Sequence, residues 1–318
     1  MTRYAEAVPG IAYLGPEGTF TEAALRLIAT NGLIPPTGPG GDPGSVMPIA
    51  TDSTAAALAA VRSGEAEFAC VPIENSIEGS VLPTLDSLAE GTPVQIYAEL
   101  TLDVSFTIAV RPGTTDSDVQ TVAAFPVAAA QVRRWLAEHL PKAELVPANS
   151  NAASAQDVAA GRADAAVSTA LATQRYGLEA LAAGVVDERN ARTRFVLVGA
   201  PGPPPASTGT DRTSVVLRLE NVPGALVAAL TELSIRDIDL TRIESRPTRT
   251  ELGTYIFFLD FVGHIDDSSV AEALRALHRR CADVRYLGSW PTGEVVGAAP
   301  PQMDEAVAWL DRLREGRA

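Results

Sequence analysis

Three short polar segments of this chain each follow an apolar run and carry side chains able to do chemistry. They are Gly15–Thr21, Pro72–Ser76 and Thr193–Phe195. If folding brings them together, the pocket holds hydroxyls, an amide and a guanidinium, but no histidine, thiol or metal-ligand set. Such a pocket suits an anionic substrate that must be held in position and given a weak proton donor.

Length and charge limit the classes of function open to this chain. Its 318 residues, 46% of them hydrophobic, are enough for two or three structural units. The net charge of -14 opposes non-specific binding to nucleic acid or to an anionic membrane. The sequence shows neither an export-signal pattern at its start nor an uncharged apolar run of the roughly 18 to 20 residues that span a bilayer. We therefore expect a cytoplasmic protein that holds any anionic ligand by local charge.

The cysteines and histidines do not form a reactive or metal-binding pattern. Cys70 lies in a strand pattern and Cys281 on a helix stripe, which predicts buried, reduced thiols. His139, His264 and His278 have no ligand spacing, so we expect solvated or helix-face positions for them and no metal site.

Residues 8–200 show the alternation of short apolar runs and alanine-rich stretches that is typical of α/β layers. Strands are predicted at Ile11–Leu14, Phe68–Ile73, Val122–Phe125, Leu145–Pro147 and Ala165–Ser168. The long apolar segment Val94–Val110 lies midway along this region, and we expect it to pass between two lobes that enclose a cleft.

The first predicted helix has an apolar stripe formed by Phe20, Ala24, Leu27 and Ile28. The stripe predicts that this face packs on the sheet, with Glu22 and Arg26 facing outward. Thr19 and Glu22 have the spacing of a capping box, in which each side chain bonds a backbone N–H of the first turn.

A proline-rich, polar break at 201–212 precedes a second unit at 213–290. Its apolar patterns follow the order β-α-β-β-α-β of a split βαβ sandwich. One sheet face of such a unit needs covering, and side-by-side pairing usually covers it, so we expect a dimer or a higher oligomer. Residues 291–318 form an extension whose helical pattern comprises Met303, Ala306, Val307 and Leu310.

The three polar segments together resemble the motifs of bacterial prephenate dehydratases, in the same order. The residues that carry the resemblance are Tyr13–Thr21, Val71–Ser76, Gly79–Val81, Asn190 and Thr193–Phe195. One departure is visible: where members of that family often have His-Pro-Gln, this chain has Phe125-Pro126-Val127, and Gln131 is the nearest polar residue. For residues 8–200 the resemblance implies a two-lobed catalytic domain like a periplasmic binding protein.

The resemblance implies decarboxylating dehydration of prephenate to phenylpyruvate, water and CO2 in phenylalanine biosynthesis, without a cofactor. We expect Arg194 to hold the side-chain carboxylate, because a planar guanidinium can make two charge-assisted bonds. Thr193 is expected to act on the leaving hydroxyl, either as a hydrogen-bond donor or as an acid supplied through a proton relay. Substrate contacts are also predicted for Thr19, Asn75, Ser76 and Ser80. For Thr19 a pure helix-cap role is an equal alternative, and Glu74 is either an acid or a buried partner of an arginine.

The second unit resembles an ACT regulatory domain, which implies a ferredoxin-like fold and phenylalanine as an allosteric effector at a subunit interface. The implied effector contacts are Gly224, Ala225, Leu226, Glu244, Ser245 and Arg246. An ordinary turn and strand end is the alternative reading of these residues.

Two other functions remain open on the sequence. An arogenate dehydratase would differ only in the local charge around the substrate side chain, where an ammonium replaces the ketone. A noncatalytic two-lobed binding protein with an amino-acid sensor would bind its ligand tightly without turnover.

Overall fold

The structure, a computed structural model, describes residues 8–36, 45–188, 190–249, 253–300 and 304–317. The chain divides into two compact units. The first comprises the chain up to Thr84 together with Leu100–Leu197, and the second comprises Leu85–Glu99 together with the chain from Val198 onward.

Within the described residues, the strands of the first lobe lie in a six-stranded sheet, whose edge strand also includes residues 95–99 of the second unit. Its strands are β1 (Gly10–Leu14), β2 (Met47–Thr51), β3 (Phe68–Asn75), β4 (Gly79–Ser80), β5 (Gln95–Asp103) and β11 (Arg192–Gly199). The order across the sheet is β2-β1-β3-β11-β5, and β4 pairs with β3. Because β1 runs parallel to both β2 and β3, the carboxyl ends of these strands share one edge. The helices of this part of the chain are α1 (Phe20–Thr30), α2 (Thr54–Ser63) and α3 (Leu82–Ala89).

The second lobe is a mixed sheet with helices packed on it. Its strands are β6 (Phe106–Val110), β7 (Thr121–Ala124), β8 (Glu144–Pro147), β9 (Ala165–Ser168) and β10 (Glu179–Val185). Its helices are α4 (Pro126–Gln131), α5 (Arg133–His139), α6 (Asn151–Ala159) and α7 (Ala170–Arg175). The strand order is β10-β6-β9-β7-β8, in which β7 is parallel to β8 and β9, while β6 is antiparallel to β9 and β10.

The chain crosses between the lobes where the sequence predicts it. It passes from β5 into β6 after Asp103 and returns from β10 into β11. The crossing segments are joined by a hydrogen bond in which Val104 N donates to Ala191 O at 2.7 Å. The prediction of a mixed α/β, two-lobed domain is confirmed.

Helix α1 differs from its sequence prediction in which residues it buries. Glu22 is 1% exposed, whereas Leu27 is 41% exposed. The predicted outward position of Glu22 is therefore wrong. Its carboxylate can be buried because two arginines compensate its charge and a backbone N–H donates to it. Thr19 caps the helix by accepting from Glu22 N at 3.4 Å, but the Glu22 carboxylate bonds Gly18 N rather than Thr19 N.

The second unit has the predicted β-α-β-β-α-β order. Its elements are β12 (Asp211–Arg218), α8 (Ala225–Ser234), β13 (Leu240–Pro247), β14 (Tyr255–Val262), α9 (Ser268–Arg280) and β15 (Asp283–Pro291). The antiparallel sheet has the order β13-β14-β12-β15, and its core packs α8 and α9 against alternate sheet residues such as Val215 and Leu217. This confirms the ferredoxin-like fold.

The sheet face opposite α8 and α9 contacts the Leu85–Glu99 segment of the same chain. Arg212 and Trp290 both donate to Glu99 Oε2, at 2.9 and 3.0 Å. Gly288 approaches so closely that a Cβ added there would lie 2.3 Å from Ile96 O. Because this segment supplies cover from within the chain, an uncovered sheet face is no longer a reason to expect pairing with a second copy.

Some isolated expectations about side chains also change. The expected solvated or helix-face position of His264 is wrong: the ring is fully buried because Nε2 donates to Pro205 O at 2.9 Å and Nδ1 accepts from Asp266 N at 3.2 Å. Cys70 is buried, which raises the pKa of its thiol, whereas Cys281 is only half-buried, and both are free.

The C-terminal extension contains α10 (Asp304–Arg314). Of the residues in its predicted stripe, Leu310 is 43% exposed, while Met303 and the side chains of Ala306 and Val307 lie outside the described residues. Among the described residues, no helix has both the length and the apolar character needed to cross a membrane.

Candidate functional site

A cavity of about 730 Å3 lies between the two lobes of the first unit. The first lobe contributes residues 14–17 and 19–21, at the end of β1 and in the loop after it, and residues 50–52 at the end of β2. The second lobe contributes Phe125, Asn149, Ser150, Asn151, Ala153, Gln156 and Tyr176. The described residues that line the cavity include no histidine or cysteine.

The loop after β1 is held in place by its own hydrogen bonds. Gly15 N donates to Thr51 O at 2.9 Å, and the Thr19 hydroxyl donates to Leu14 O at 3.1 Å while accepting from Glu22 N. The geometry therefore gives Thr19 the helix-cap role that the sequence left open, at a position that also lines the cavity. Burial, with the charges of Glu22 and Glu17, raises the pKa of Tyr13 to about 12.

Asn75 and Thr193 form a hydrogen-bonded pair at the end of β3. Asn75 Nδ2 donates to Thr193 Oγ1 at 2.9 Å, while its Oδ1 accepts from Ile77 N at 2.8 Å and from Glu78 N at 3.0 Å. The backbone donors fix which end of the Asn75 amide faces Thr193. The Thr193 oxygen is thus an acceptor in this pair, and among the described residues none accepts its hydrogen.

Arg194 and Glu74, the sequence neighbours of Thr193 and Asn75, form an ion pair. Arg194 is 7% exposed, and its Nη2 lies 2.9 Å from Glu74 Oε2, whose side chain is 40% exposed. Successive strand residues point to opposite faces, so Glu74 and Arg194 lie on one face of the sheet while Asn75 and Thr193 lie on the other. Of the two roles considered for Glu74, the structure shows the ion pair with an arginine, and that arginine is Arg194.

Ser76 and Ser80 are held by contacts within the first sheet. The Ser76 hydroxyl donates to Asn190 O at 3.0 Å and accepts from Arg192 N at 2.9 Å, so it fastens the start of β11 to the end of β3. Ser80 lies on β4, where it pairs with Glu74 across the strands.

The cavity and the Asn75–Thr193 pair lie at the same edge of the first sheet. The cavity loops follow the carboxyl ends of β1 and β2, and Asn75 is the last residue of β3, the other neighbour of β1. Ligands of α/β folds bind at this edge. Asn75 and Thr193 are not themselves among the residues that line the cavity.

The sequence reasoning missed the polar residues that the second lobe brings to the cavity. Ser150 caps α6 by accepting from Ala153 N at 3.0 Å, and Asn149 and Asn151 flank it. Tyr176 Oη accepts from Gln156 Nε2 at 2.7 Å. The available signal was the polar run Asn149–Asn151, one residue after the predicted strand Leu145–Pro147, a pattern similar to the one that singled out Asn75.

The segment around Phe125, which departs from the family motif, brings an aromatic side chain to the cavity but not the polar residue Gln131. Phe125 precedes α4 and lines the cavity. Gln131 is 7% exposed and does not line the cavity, and among the described residues its Oε1 has no hydrogen-bond partner. Elsewhere in the described part of the chain, no cluster of three or more His, Cys, Asp or Glu has a geometry that could hold a metal ion.

The second unit has its own small cavity beside the start of α8. About 280 Å3 in volume, it is lined by Leu219, Glu220, Val222, Pro223, Gly224, Ala225, Ala228 and Arg280. Gly224, at φ +82°, makes the turn into the helix, a conformation that favours glycine. Of the predicted effector contacts, Gly224 and Ala225 line this cavity and Leu226 does not.

The other predicted effector contacts lie on β13, an edge strand, and do not line that cavity. Ser245 is exposed, and Glu244 is half-buried. Arg246 makes a two-bond ion pair with Asp86, with both N···O distances 2.9 Å. This pairing raises the pKa of Arg246 and lowers that of Asp86.

Fold and sites together define a class: a two-lobed α/β domain with a polar interlobe cleft, joined to a βαββαβ unit of the ACT type. The family model for prephenate dehydratase matches residues 11–203, and the model for the ACT domain matches residues 213–279. The chain belongs to the prephenate dehydratase family, whose members are lyases, and the family predicted from the motifs is confirmed.

Similar proteins match over nearly the whole chain. A prephenate dehydratase from Mycolicibacterium vanbaalenii is 81% identical over 313 residues, which are 98% of this chain and 100% of that protein. The crystal structure of a prephenate dehydratase from Arthrobacter aurescens in complex with L-Phe has a TM-score of 0.84 and 40% identity, covering 96% of this chain and 99% of that one. GqqA, described as a novel type of quorum quenching acylase, has a TM-score of 0.77 and 30% identity, covering 89% and 98%.

Proposed function

We propose that the interlobe cleft binds prephenate and that Thr193 donates a hydrogen bond to the hydroxyl that leaves the ring. The observation that carries this role is the hydrogen bond from the Asn75 amide to Thr193 Oγ1. Because the amide occupies one lone pair of this oxygen, the hydrogen of the Thr193 hydroxyl points away from Asn75. A donor fixed in this way stabilises charge that develops on the leaving oxygen without reorganising during the reaction.

The reaction balances without any group beyond the protein and water. The bond between the ring and its carboxylate breaks and releases CO2, and the bonding electrons complete the aromatic ring as the C–O bond breaks. The departing hydroxide takes up a proton and leaves as water. A threonine hydroxyl is a weak acid, so Thr193 supplies the hydrogen bond while the net proton comes from solvent.

The dianion is held, in this proposal, by the polar residues at the start of α6 and by the helix itself. Backbone N–H groups of a helix N-terminus favour an anion by roughly 0.3 to 1 kcal/mol, and by up to about 2 kcal/mol when partly buried. Asn149 and Asn151 add side-chain amides at the same place. The firm contacts suit the side-chain carboxylate, because holding the ring carboxylate equally hard would stabilise charge that disappears in the transition state.

Arg194 acts through Glu74 in this scheme. Its guanidinium is buried and ion-paired on the sheet face opposite Thr193, which favours a role in fixing the end of β3. A direct grip on substrate by Arg194, as expected from the motif alone, would require the pair with Glu74 to open.

Phenylalanine is the proposed effector, at the cavity of Gly224 and Ala225. The relative from Arthrobacter aurescens was crystallised with L-Phe, and the glycine turn into α8 leaves backbone N–H groups at the helix start where a carboxylate can bind. Because Glu244 and Ser245 lie on an edge strand outside this cavity, we propose that a second copy of the chain brings them to it in a dimer or tetramer.

The effector then shifts the activity of a cytoplasmic biosynthetic enzyme by a coupling of typically 1 to 3 kcal/mol. Unchanged activity and sedimentation in saturating phenylalanine would contradict this part.

The test of the catalytic proposal is a product assay on purified, metal-free protein. Incubation with prephenate should release phenylpyruvate, and incubation with arogenate should give no phenylalanine. Phenylalanine formed from arogenate would make the enzyme an arogenate dehydratase, and tight binding of prephenate without product would favour a binding protein. Hydrolysis of an N-acyl amide is a further arm because of the acylase relative, and we expect none, since the described cleft residues include no histidine or cysteine.

A further inference from the structure

The lobes of the first unit are bridged at Gly18, in the loop that follows β1. The Thr169 hydroxyl, at the start of α7, donates to Gly18 O at 2.5 Å. Gly18 has φ +89°, and a Cβ added there would lie 2.9 Å from the Cβ of Ala172 on α7. The loop and the helix are therefore in direct contact, without room for a side chain between them.

Glu22 extends this bridge by one buried carboxylate. Its Oε2 accepts from Gly18 N at 2.5 Å. Its Oε1 accepts from Arg26 Nη2 at 2.7 Å and from Arg175 Nη2 at 2.9 Å. Arg26 lies one turn along the same helix, whereas Arg175 reaches Glu22 from α7 of the second lobe.

Arg175 also joins residues that line opposite walls of the cleft. Its Nη1 binds the carboxylate of Glu17, which lines the cavity from the first lobe. The next residue in the chain, Tyr176, lines the cavity from the second lobe and is bonded to Gln156. Separation of the lobes at this place would break the bonds from Arg175 to Glu17 and to Glu22.

We propose that Arg175 is a positioning residue for the dehydratase reaction. Its bonds to Glu17 and Glu22 hold the two walls of the cleft at the spacing that substrate requires, although Arg175 itself does not line the cavity. The kinetic part of this inference rests on the proposed function, because it uses turnover of prephenate as its readout.

The charges around Glu22 make a clean test possible. Without Arg175, the buried carboxylate still accepts from Gly18 N and Arg26, so a buried ion is not left unpaired and the fold is expected to survive. Arg26→Gln is the matched control: it removes the same charge from the same acceptor atom, Glu22 Oε1, but it breaks a bond within one helix rather than one between the lobes.

The first measurement is steady-state kinetics with prephenate. Arg175→Gln should lower kcat/KM by about 10- to 100-fold, with most of the change in KM, since a small misplacement of binding groups costs of this order. Arg175→Lys should recover part of the loss, because a cation returns but cannot make both bonds with one planar group. Arg26→Gln should stay within about twofold of wild type, because it breaks a bond within one helix and leaves the bonds from Arg175 to Glu17 and Glu22 in place.

The second measurement does not depend on turnover. Hydrogen exchange should become faster in peptides that cover Gly15–Phe20 and Thr169–Tyr176 in Arg175→Gln, and should remain at the wild-type rate in Arg26→Gln. If wild type fails to convert prephenate, the proposed function fails while this measurement still decides the role of Arg175.

Equal effects of Arg175→Gln and Arg26→Gln, in kinetics and in exchange, would overturn the proposal, because the loss of one positive charge beside Glu22 would then explain both variants. Wild-type behaviour of Arg175→Gln would overturn it as well. If Arg175→Gln does not fold, Arg175→Lys takes its place. Wild-type kinetics and exchange in Arg175→Lys would overturn the proposal, and slower turnover with faster exchange would support it.

Discussion

At the scale of single residues, strand alternation separates side chains that are neighbours in sequence. Thr193 and Arg194 follow each other on β11, and Asn75 and Glu74 do so on β3. Because successive residues face opposite sides, the hydroxyl pairs with the amide and the guanidinium pairs with the carboxylate. The motif read along the chain suggested that Thr193 and Arg194 act on one substrate, whereas the sheet assigns them to different faces.

Removal of the Thr193 hydroxyl should affect turnover more than binding. We expect Thr193→Val to lower kcat by about 10²- to 10³-fold with a smaller change in KM, since a preorganised donor acts mainly in the transition state. Thr193→Ser is the matched control because it keeps the hydroxyl within reach of Asn75, and it should retain most of the activity. Near-normal kcat in Thr193→Val, measured as phenylpyruvate release, would remove Thr193 from the mechanism.

At the scale of elements, ion pairs decide how helices and strands are held in the second unit. Arg246 on β13 makes two bonds to Asp86 on α3, and Arg249 also binds this carboxylate. Both side chains of the two-bond pair are less than one-fifth exposed. The arginine that the sequence assigned to an effector thus has a structural partner from a distant part of the chain.

Asp86→Asn should destabilise the second unit, with a dependence on pH that identifies the pair. Because Arg246 lowers the pKa of Asp86 in the folded protein, the stabilisation is present above the ordinary carboxyl pKa of about 4 and is lost as pH falls through the lower folded value. We expect a loss of about 1 to 2 kcal/mol in the free energy of unfolding at pH 7. Urea unfolding at pH 7 and near pH 3 should show the difference from wild type shrinking at the lower pH. A difference that is the same at both would contradict the assignment.

At the scale of the whole molecule, the exposed apolar side chains of the single chain suggest where the proposed association between copies would occur. The Leu85–Glu99 segment already contacts the open face of the ACT sheet. Val227 and Ile235 of the α8 region are 68% and 65% exposed, and Ile243 of the edge strand is 45% exposed. We therefore place the proposed interface at α8 and β13 rather than on the sheet face.

The double variant Val227→Glu, Ile235→Glu should weaken association, because charges replace apolar contacts at the proposed interface. Sedimentation velocity should show smaller species than wild type, and the response of activity to phenylalanine should decrease. Leu27→Glu is the control, since it adds a charge at an exposed apolar position of α1 in the first unit. A double variant that sediments like wild type would place the interface elsewhere.

Apolar periodicity indicated the α/β character of the first region and the element order of the βαββαβ unit, whereas the motifs indicated the family and, through it, the two-lobed domain. These features are local, because spacing along the chain fixes which face of a strand or helix is apolar. Only the tertiary structure decided which distant side chains pair with one another. The burial of Glu22 against Arg175, the pairing of Arg194 with Glu74 and the cover that Leu85–Glu99 gives to the ACT sheet join residues far apart in sequence. A charged side chain is buried only where a distant opposite charge reaches it, and periodicity does not encode which one does.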